Sequence, residues 1–511
     1  MRAMGQSRRG GRRCAGWVWA LAVVWVAASP GGAAGADLPQ DMGEETRACV
    51  ECHRMYTPGI VYDWLRSRHA WTPPEKALAR PEQEHRFSRG DVPAGFGGKV
   101  VGCFECHGQA PDAHPDAFDH MGFRIHVVVT PRDCSTCHPL EAEQYGRGKK
   151  AFAHENLARN PVYALLVDTV AGSREWEGGH LVRVPSDATN RWETCYGCHG
   201  TRVTVEGSVK VRTALGELEV PNLRGWPNQG VGRINPDGSR GACTSCHARH
   251  AFSIRDARDP HTCSQCHLEP DVPAWNVFRD SKHGNLYEVR AHEFEWEAVP
   301  WVVGRDFTAP TCAVCHVSLL ADDQGQVIAE RSHDFGARLW VRIFGLPYAH
   351  PQPGSGATYE LRNPDGQPLP VTFEGEPAEQ GLIGPRERER RRELMARVCN
   401  ACHNRQWIGA HFAKLDRTIR NTNAMVRTAT RLVQEAWRRG LADPANPFDE
   451  PLEHLWLRSW LFYTNSIRYA SAMTGAPDYA TFKNGWWDLN ETLERLGAAL
   501  AEDEEHDDRG R

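Results

Sequence analysis

The sequence predicts a mainly α, loop-rich fold with a few short β-hairpins and a long C-terminal helical bundle. Three observations carry that expectation. Glycine (47) and proline (33) make up 80 of 511 residues, about 16% against a usual ~12%, which marks a chain rich in turns. Cysteine recurs in one short fixed pattern along most of the length. After Pro385 glycine and proline almost vanish, and apolar residues recur every three or four positions as on one helical face. Hydrophobic residues at 41% and charged residues at 24% fit a globular chain and exclude disorder or a multi-span membrane protein.

Residues 1–36 read as an export signal. Arg2, Arg8, Arg9, Arg12 and Arg13 form a basic start, an apolar run follows from Ala15 to Ala28, and small residues up to Ala36 offer a cleavage site. The apolar run is shorter than the roughly 20 residues a membrane span needs; an uncleaved anchor is the competing reading. Removing this segment takes Lys+Arg from 60 to 55 against 65 Asp+Glu, so the net charge moves from -5 to -10. So acidic a mature chain argues against nucleic acid or anionic lipid as partner, since both need a basic patch. No later apolar stretch is long enough to span a membrane. The expected location is periplasmic or otherwise extracytoplasmic.

Sixteen of the 17 cysteines fall into eight copies of C-x-x-C-H. They are Cys49/Cys52/His53, Cys103/Cys106/His107, Cys134/Cys137/His138, Cys195/Cys198/His199, Cys243/Cys246/His247, Cys263/Cys266/His267, Cys312/Cys315/His316 and Cys399/Cys402/His403. The remaining one, Cys14, lies in the export segment. In such a motif two thiols add to the two vinyl groups of a haem, and the adjacent histidine supplies the proximal imidazole to iron. A lone C-x-x-C also suits a thioredoxin-like pair or half a zinc site. Eight copies that consume every cysteine after residue 36 point instead to eight covalent c-type haems and a multihaem cytochrome c. Macrocycles at that density supply much of the apolar interior, which accounts for a mean hydropathy of -0.55. First cysteines are spaced 54, 31, 61, 48, 20, 49 and 87 residues apart. The interval of 20 forces the fifth and sixth haems together.

Each iron also takes or leaves open a second axial position. Of sixteen histidines outside the motifs, His69, His154, His250 and His283 are the first candidates. His126 and His333 come next, then His120, His292 and His411. His85 and His114, in proline-flanked polar stretches, and His506 in the acidic tail read as surface residues. A haem with two imidazoles only passes electrons, whereas one with an open position binds and transforms a small ligand.

Four regions are expected: the export segment 1–36, a multihaem region 37–384 with seven motifs, a helical region 385–500 with the eighth, and an acidic tail 501–511. Val203, Val205, Val209 and Val211 alternate with polar residues as in a hairpin, and a second hairpin is expected from Tyr359 to Phe373 around Asn363-Pro364-Asp365-Gly366. Beyond Gly440 two helices are expected, 452–473 and 479–500. Their Trp456, Trp460, Phe462, Tyr463, Trp486 and Trp487 suit either a capping bundle or an oligomer interface.

The run Gly225-Trp226-Pro227-Asn228-Gln229-Gly230-Val231-Gly232-Arg233-Ile234-Asn235-Pro236-Asp237-Gly238, the fifth motif with Arg249-His250, Ala257-Arg258-Asp259-Pro260, the sixth motif, Pro270-Asp271 and Ser281-Lys282-His283-Gly284 closely resemble the octahaem cytochromes c of the hydroxylamine oxidoreductase family. The likeness continues through Ala309-Pro310-Thr311-Cys312 to the C-terminal helices. Ammonia-forming nitrite reductases and tetrathionate reductases resemble the chain less, because they carry a lysine in one motif and all eight here end in histidine.

The resemblance implies that the fourth haem, on Cys195, Cys198 and His199, is open and catalytic. It implies an aspartate–histidine pair beyond the sixth motif reaching over that iron; Asp271 matches the aspartate, and Val272 stands where the family has histidine. Oxidising members form trimers in which a neighbour's tyrosine is cross-linked to the same haem. Tyr479 is the best match, with Tyr463 and Tyr469 behind it, although Phe482-Lys483-Asn484-Gly485 departs from the family's ending. The implied activity is hydroxylamine oxidation to nitric oxide or nitrite, with Asp271 as base and seven electron-transfer haems. Reduction of nitrite, nitric oxide or hydroxylamine at the same haem stands beside it, as does a pure electron carrier. Implied partners are a small nitrogen-oxide substrate, a redox protein such as another cytochrome c or a quinone-linked protein, and two further copies in a homotrimer.

Overall fold

A computed structural model describes residues 37–213, 216–473 and 482–510. The export segment and Tyr479 lie outside the described residues. Residues 38–511 form one compact unit. It is 48% helical and 13% strand, a mainly α fold of short helices, two-stranded ribbons and long C-terminal helices. No helix of the described residues is long and apolar enough to cross a membrane.

The ribbons are antiparallel: β1 Ala117–His120 with β2 Phe123–His126, β3 Ser173–Glu177 with β4 His180–Val184, and β5 Thr204–Thr213 with β6 Gly216–Arg224. The last holds the expected alternation at Val205, Val209 and Val211, with Val203 buried just before it. The hairpin expected over 359–373 does not form. The Asn363–Gly366 turn is present, closed by Gly366 N–H to Asn363 O at 2.9 Å with Gly366 at φ 75°. Pro368 and Pro370 lack the amide hydrogens a ladder needs, so the flanks do not pair as strands.

The region after Pro385 is two helices. α1 (Pro385–Asn400) ends at the eighth motif and α2 (Arg405–Arg439) restarts beyond it. Asn404 caps α2 by accepting the Trp407 amide hydrogen at 2.9 Å, and Gly440 ends it at φ 76°. Ile408, Phe412, Leu415, Val426, Ala429, Val433 and Ala436 form its buried stripe. The chain continues through α3 (Pro451–Leu457), a wider π-type turn (Arg458–Thr464), α4 (Asn465–Met473) and α5 (Trp487–Gly510). Residues 501–510 of the expected acidic tail continue α5.

Trp456 and Trp460 are fully buried against Val426, Val433, Leu346, Tyr348 and Leu369. Side chains of this size contribute about 1.5–3 kcal/mol each when buried, so these aromatics hold the bundle onto the 346–371 loops. Trp487 stays 64% exposed. A second core gathers Trp301, Phe307, Phe294 and Trp296, and a third, near the N-terminal end of the described chain, gathers Val50, Val61, Trp64 and Val100.

Candidate functional site

The motifs share a local geometry. Cys103–His107, Cys195–His199 and Cys312–His316 are single helical turns. Residues three apart on a turn face the same way, so both thiols point to one side with the histidine beside them. Histidine orientation is fixed from behind: His107 Nδ1–H donates to the His126 carbonyl at 2.8 Å, His199 Nδ1–H to that of Ala153 at 3.3 Å, and His53 Nδ1 lies 2.8 Å from Thr57 Oγ1. That leaves Nε2 free to bind a metal. Burial pushes His69, His107, His138 and His316 down to about 4, so these imidazoles are neutral, as a ligand must be.

The thiols map the order of the motifs in space. Cys198 contacts Cys266, Cys134 contacts Cys243, and Cys263 contacts Cys312. Cys49 lies by Cys103, Cys106 by Cys137, Cys246 by Cys263 and Cys266, and Cys315 by Cys402. The motifs therefore run one, two, three, five, six, seven, eight, and the fourth branches off at the sixth. The close approach expected of the fifth and sixth is present.

Two of the sixteen motif cysteines depart from the enclosed setting expected of macrocycles that build the interior. Cys52 of the first motif and Cys402 of the eighth are exposed, whereas the other fourteen are partly buried. The reason is position: the first and eighth motifs end the row, so each has a neighbouring motif on one side only. Cys52 also follows the exposed Glu51 in the helix Glu44–Tyr56, and Cys49 one turn earlier lies by Cys103. A haem held at Cys49 and Cys52 would therefore present one edge to solvent.

A branched cavity of about 2150 Å³ passes residues of all eight motifs, larger than the 300–1,000 Å³ of an ordinary ligand pocket. Pairs of imidazoles face each other across it. Ring centroids lie 6.0 Å apart for His53 and His120, 6.4 Å for His69 and His138, 6.4 Å for His247 and His333, and 6.1 Å for His283 and His403. Two metal–nitrogen bonds of about 2 Å plus the ring radii give about that separation. These residues fit haem iron held between two histidines.

Other candidates are placed differently. His250, at φ 66°, lies near enough to His107 to perturb it. His126, expected as an iron ligand, has its ring centroid 6.0 Å from that of His107, while its backbone carbonyl accepts the His107 Nδ1–H. It is fully buried, stacked on His114 at 3.6 Å, with Asp133 Oδ2 3.6 Å from its Nε2. His114 was expected at the surface and is 3% exposed, because its Nε2 meets Asp133 Oδ1 at 3.0 Å and Asp116 lies at 3.6 Å. His154 Nδ1–H donates to Gly200 O at 2.7 Å, and its ring packs 4.8 Å from Tyr196, beside the fourth motif. His411 bonds the Ala472 carbonyl through Nε2 at 3.0 Å, and His292 is exposed.

Asp271 and Arg342 act on the fourth motif, and both act on Tyr469. Asp271 follows Pro270 in a turn braced by Asn276 Oδ1, which accepts the Glu269 amide hydrogen at 3.0 Å. Its charge acts on Cys195, Cys198, His199 and Tyr469. Burial raises the Asp271 carboxyl above its ordinary value, against the pull of its own backbone and His199. Val272 lines the cavity beside it. Tyr469 sits on α4, which packs on the helix Ala274–Asp280 that follows Asp271; burial pushes its phenol up to about 12. Tyr463 is tied to Arg458, whose Nη2 donates to its hydroxyl at 2.9 Å. Arg342, from the short strand Val341–Arg342, acts on His199, Tyr469 and His350. Sequence reasoning missed Arg342 and the fully buried His350, since an isolated arginine or histidine carries no motif.

The family described as "Seven times multi-haem cytochrome CxxCH" matches residues 235–331, which include the fifth to seventh motifs. A solved structure named "Hypothetical multiheme protein" is 41% identical, covers 92% of this chain and 97% of its own, and superposes with a TM-score of 0.86. A reducing HAO-like protein complex of Kuenenia stuttgartiensis shares the fold at 19% identity, TM-score 0.58, over 90% of this chain and 85% of its own. A probable nitrite reductase–hydroxylamine oxidoreductase fusion protein of Kuenenia stuttgartiensis is 24% identical over 417 residues, 78% of this chain. The chain spans 38% of that protein's length.

Proposed function

Because this chain belongs to the multihaem c-type cytochromes, among those related to hydroxylamine-oxidoreductase-like proteins, we propose that it is an eight-haem oxidoreductase acting on a small nitrogen compound at the haem of its fourth motif. The observation that carries this reading is that Asp271 and Arg342 both act on His199, and that the same two residues act on the buried Tyr469. Haem bound at Cys195 and Cys198 supplies the redox chemistry there, and the other seven carry charge to and from it through the sixth.

The residues favour the reductive direction. Hydroxylamine reduction takes two electrons and two protons and yields ammonia and water. Asp271, protonated more readily than an ordinary carboxylate, holds a proton where it is consumed. The Arg342 guanidinium draws an anion such as nitrite toward the same place. Val272, where the resemblance expects histidine, removes a base that oxidation would use. Oxidation of hydroxylamine to nitric oxide or nitrite remains the second reading, favoured by Tyr479 if it is cross-linked to haem.

The same reading gives the protein an export signal at 1–36, a place outside the cytoplasm, a redox partner such as a cytochrome c or a quinone-linked protein, and a homotrimeric assembly. The deciding measurement is spin state. One high-spin ferric iron per chain, altered by adding hydroxylamine or nitrite, supports the enzyme. Eight low-spin irons, unmoved by either compound, would reduce the protein to an electron carrier.

A further inference from the structure

Three stretches of this chain share one pattern and one backbone path. Trp64-Leu65-Arg66-Ser67-Arg68-His69-Ala70 and Phe278-Arg279-Asp280-Ser281-Lys282-His283-Gly284 each run from an aromatic residue to a small one, with histidine second to last. Tyr145-Gly146-Arg147-Gly148-Lys149-Lys150-Ala151 repeats the order with lysine in the place of histidine.

The backbone match is close. Each segment leaves a helix at its fourth residue: Ser67 at φ -79°, ψ 155°, Ser281 at -81°, 165°, and Gly148 at -81°, 158°. The amide of that residue donates to the carbonyl of the aromatic residue in all three, at 2.8, 2.9 and 2.9 Å. The amide of the last residue then returns to the fourth. Ala70 and Gly284 donate to the serine hydroxyls at 3.3 and 3.1 Å, and Ala151, where glycine offers none, donates to the Gly148 carbonyl at 3.2 Å.

What the sixth residue faces is also the same. His69 faces His138 of the third motif and His283 faces His403 of the eighth. Lys150 Nζ lies 3.3 Å from Nε2 of His267, the histidine of the sixth motif. Two nitrogens across one iron stand about 4 Å apart, and the lysine's flexible tip accommodates that difference. Among the described residues no carboxylate pairs with Lys150; its ammonium end lies instead 4.7 Å from the centre of the Phe335 ring.

We infer that Lys150 is the second axial ligand of the sixth haem, opposite His267, so that one haem is held by histidine and lysine. The inference rests on the eight-haem reading above. It places the unlike ligand pair at the junction where the fourth haem joins the row. The amine closes that iron to substrate and gives it a ligand field unlike that of the bis-histidine haems beside it.

The test is near-infrared magnetic circular dichroism and electron paramagnetic resonance on the intact purified protein, with haem content taken from its mass. Charge-transfer energies separate amine–imidazole from bis-imidazole iron. Wild type should show one amine–imidazole haem. Lys150→His should convert that signal to bis-imidazole, and Lys150→Ala should raise the high-spin irons by one per chain with the mass unchanged. A wild-type spectrum without an amine–imidazole component overturns the inference, and so does an unchanged high-spin population in Lys150→Ala. If Lys150→Ala fails to accumulate, the wild-type and Lys150→His spectra decide. A mass lacking eight haems would instead strike the reading beneath it.

Discussion

The Cys198 thiol of the fourth motif contacts Cys266 of the sixth and reaches the Gln265 carbonyl at 3.7 Å. A haem held at the fourth motif would thus meet the others at the sixth. Replacing Cys263 and Cys266 together by alanine should remove one haem's mass. Reoxidation of the remaining reduced haems by hydroxylamine or nitrite, followed by stopped-flow absorbance, should then slow by at least about 100-fold, a barrier increase of about 2.7 kcal/mol. An unchanged rate would mean that charge reaches the fourth haem by another route.

Asp271 gives a prediction whose sign depends on direction. Burial raises its carboxyl above the usual ~3.9. If the acid form delivers a proton in reduction, kcat/KM falls as pH rises through that raised value. If the carboxylate acts as base in oxidation, kcat/KM rises over the same range. Asp271→Asn should lower turnover about 10²–10⁴-fold in either case and abolish that limb of the profile while leaving the haem mass intact. Measuring both pH profiles on wild type and variant assigns the direction.

The two halves of the fold were unequally legible in the sequence. The eight motifs stand in plain view because covalent attachment demands fixed spacing, and the α2 stripe follows from its three-and-four periodicity. Motif spacing says nothing of depth, however, so the exposure of Cys52 and Cys402 at the two ends of the row had no signal in the chain. The second axial ligands were harder. His283 and His403 are 120 residues apart yet share one site, and nothing local marks such a pairing. His114 looked like a loop residue because its neighbours are polar, but Asp116 and Asp133 are the partners that allow its burial. The expected 359–373 hairpin failed because the turn signal Asn363-Pro364-Asp365-Gly366 is followed by Pro368 and Pro370, which lack the donors a ladder needs.

The histidine pairs yield a contrast. His283→Ala and His333→Ala should each add one high-spin iron per chain while the covalent haem count stays constant, because thioether bonds do not depend on the distal ligand. His126→Ala should leave the high-spin population unchanged, since the His126 ring is stacked on His114 and its Nε2 faces the Asp133 carboxylate. Its cost should be in stability, through the loss of packing on His114. Electron paramagnetic resonance of the three variants checks all of this, and a new high-spin signal in His126→Ala would return His126 to the ligand set.

Arg468 ties the segment around Ile343 to the bundle. It is fully buried, and its guanidinium donates to Thr422 Oγ1 at 3.0 Å, to the Ile343 carbonyl at 3.1 Å and to Asn423 Oδ1 at 2.5 Å. Burial lowers it to about 9, so it stays charged at neutral pH. Its neighbours in sequence and space are the argument for its role: Tyr469 follows it on α4, and Ile343 follows Arg342. Arg468→Met keeps the volume but leaves three buried acceptors short of a donor, each costing about 1–3 kcal/mol. The expected loss is about 3–5 kcal/mol, read as a lower guanidinium midpoint with an unchanged slope. Turnover of the folded variant should fall as well, because Tyr469 and Arg342 lose their common anchor, whereas the high-spin signal of the fourth haem should persist. A variant as stable as wild type would show that the bundle and the 340s strand are held together by their apolar core alone.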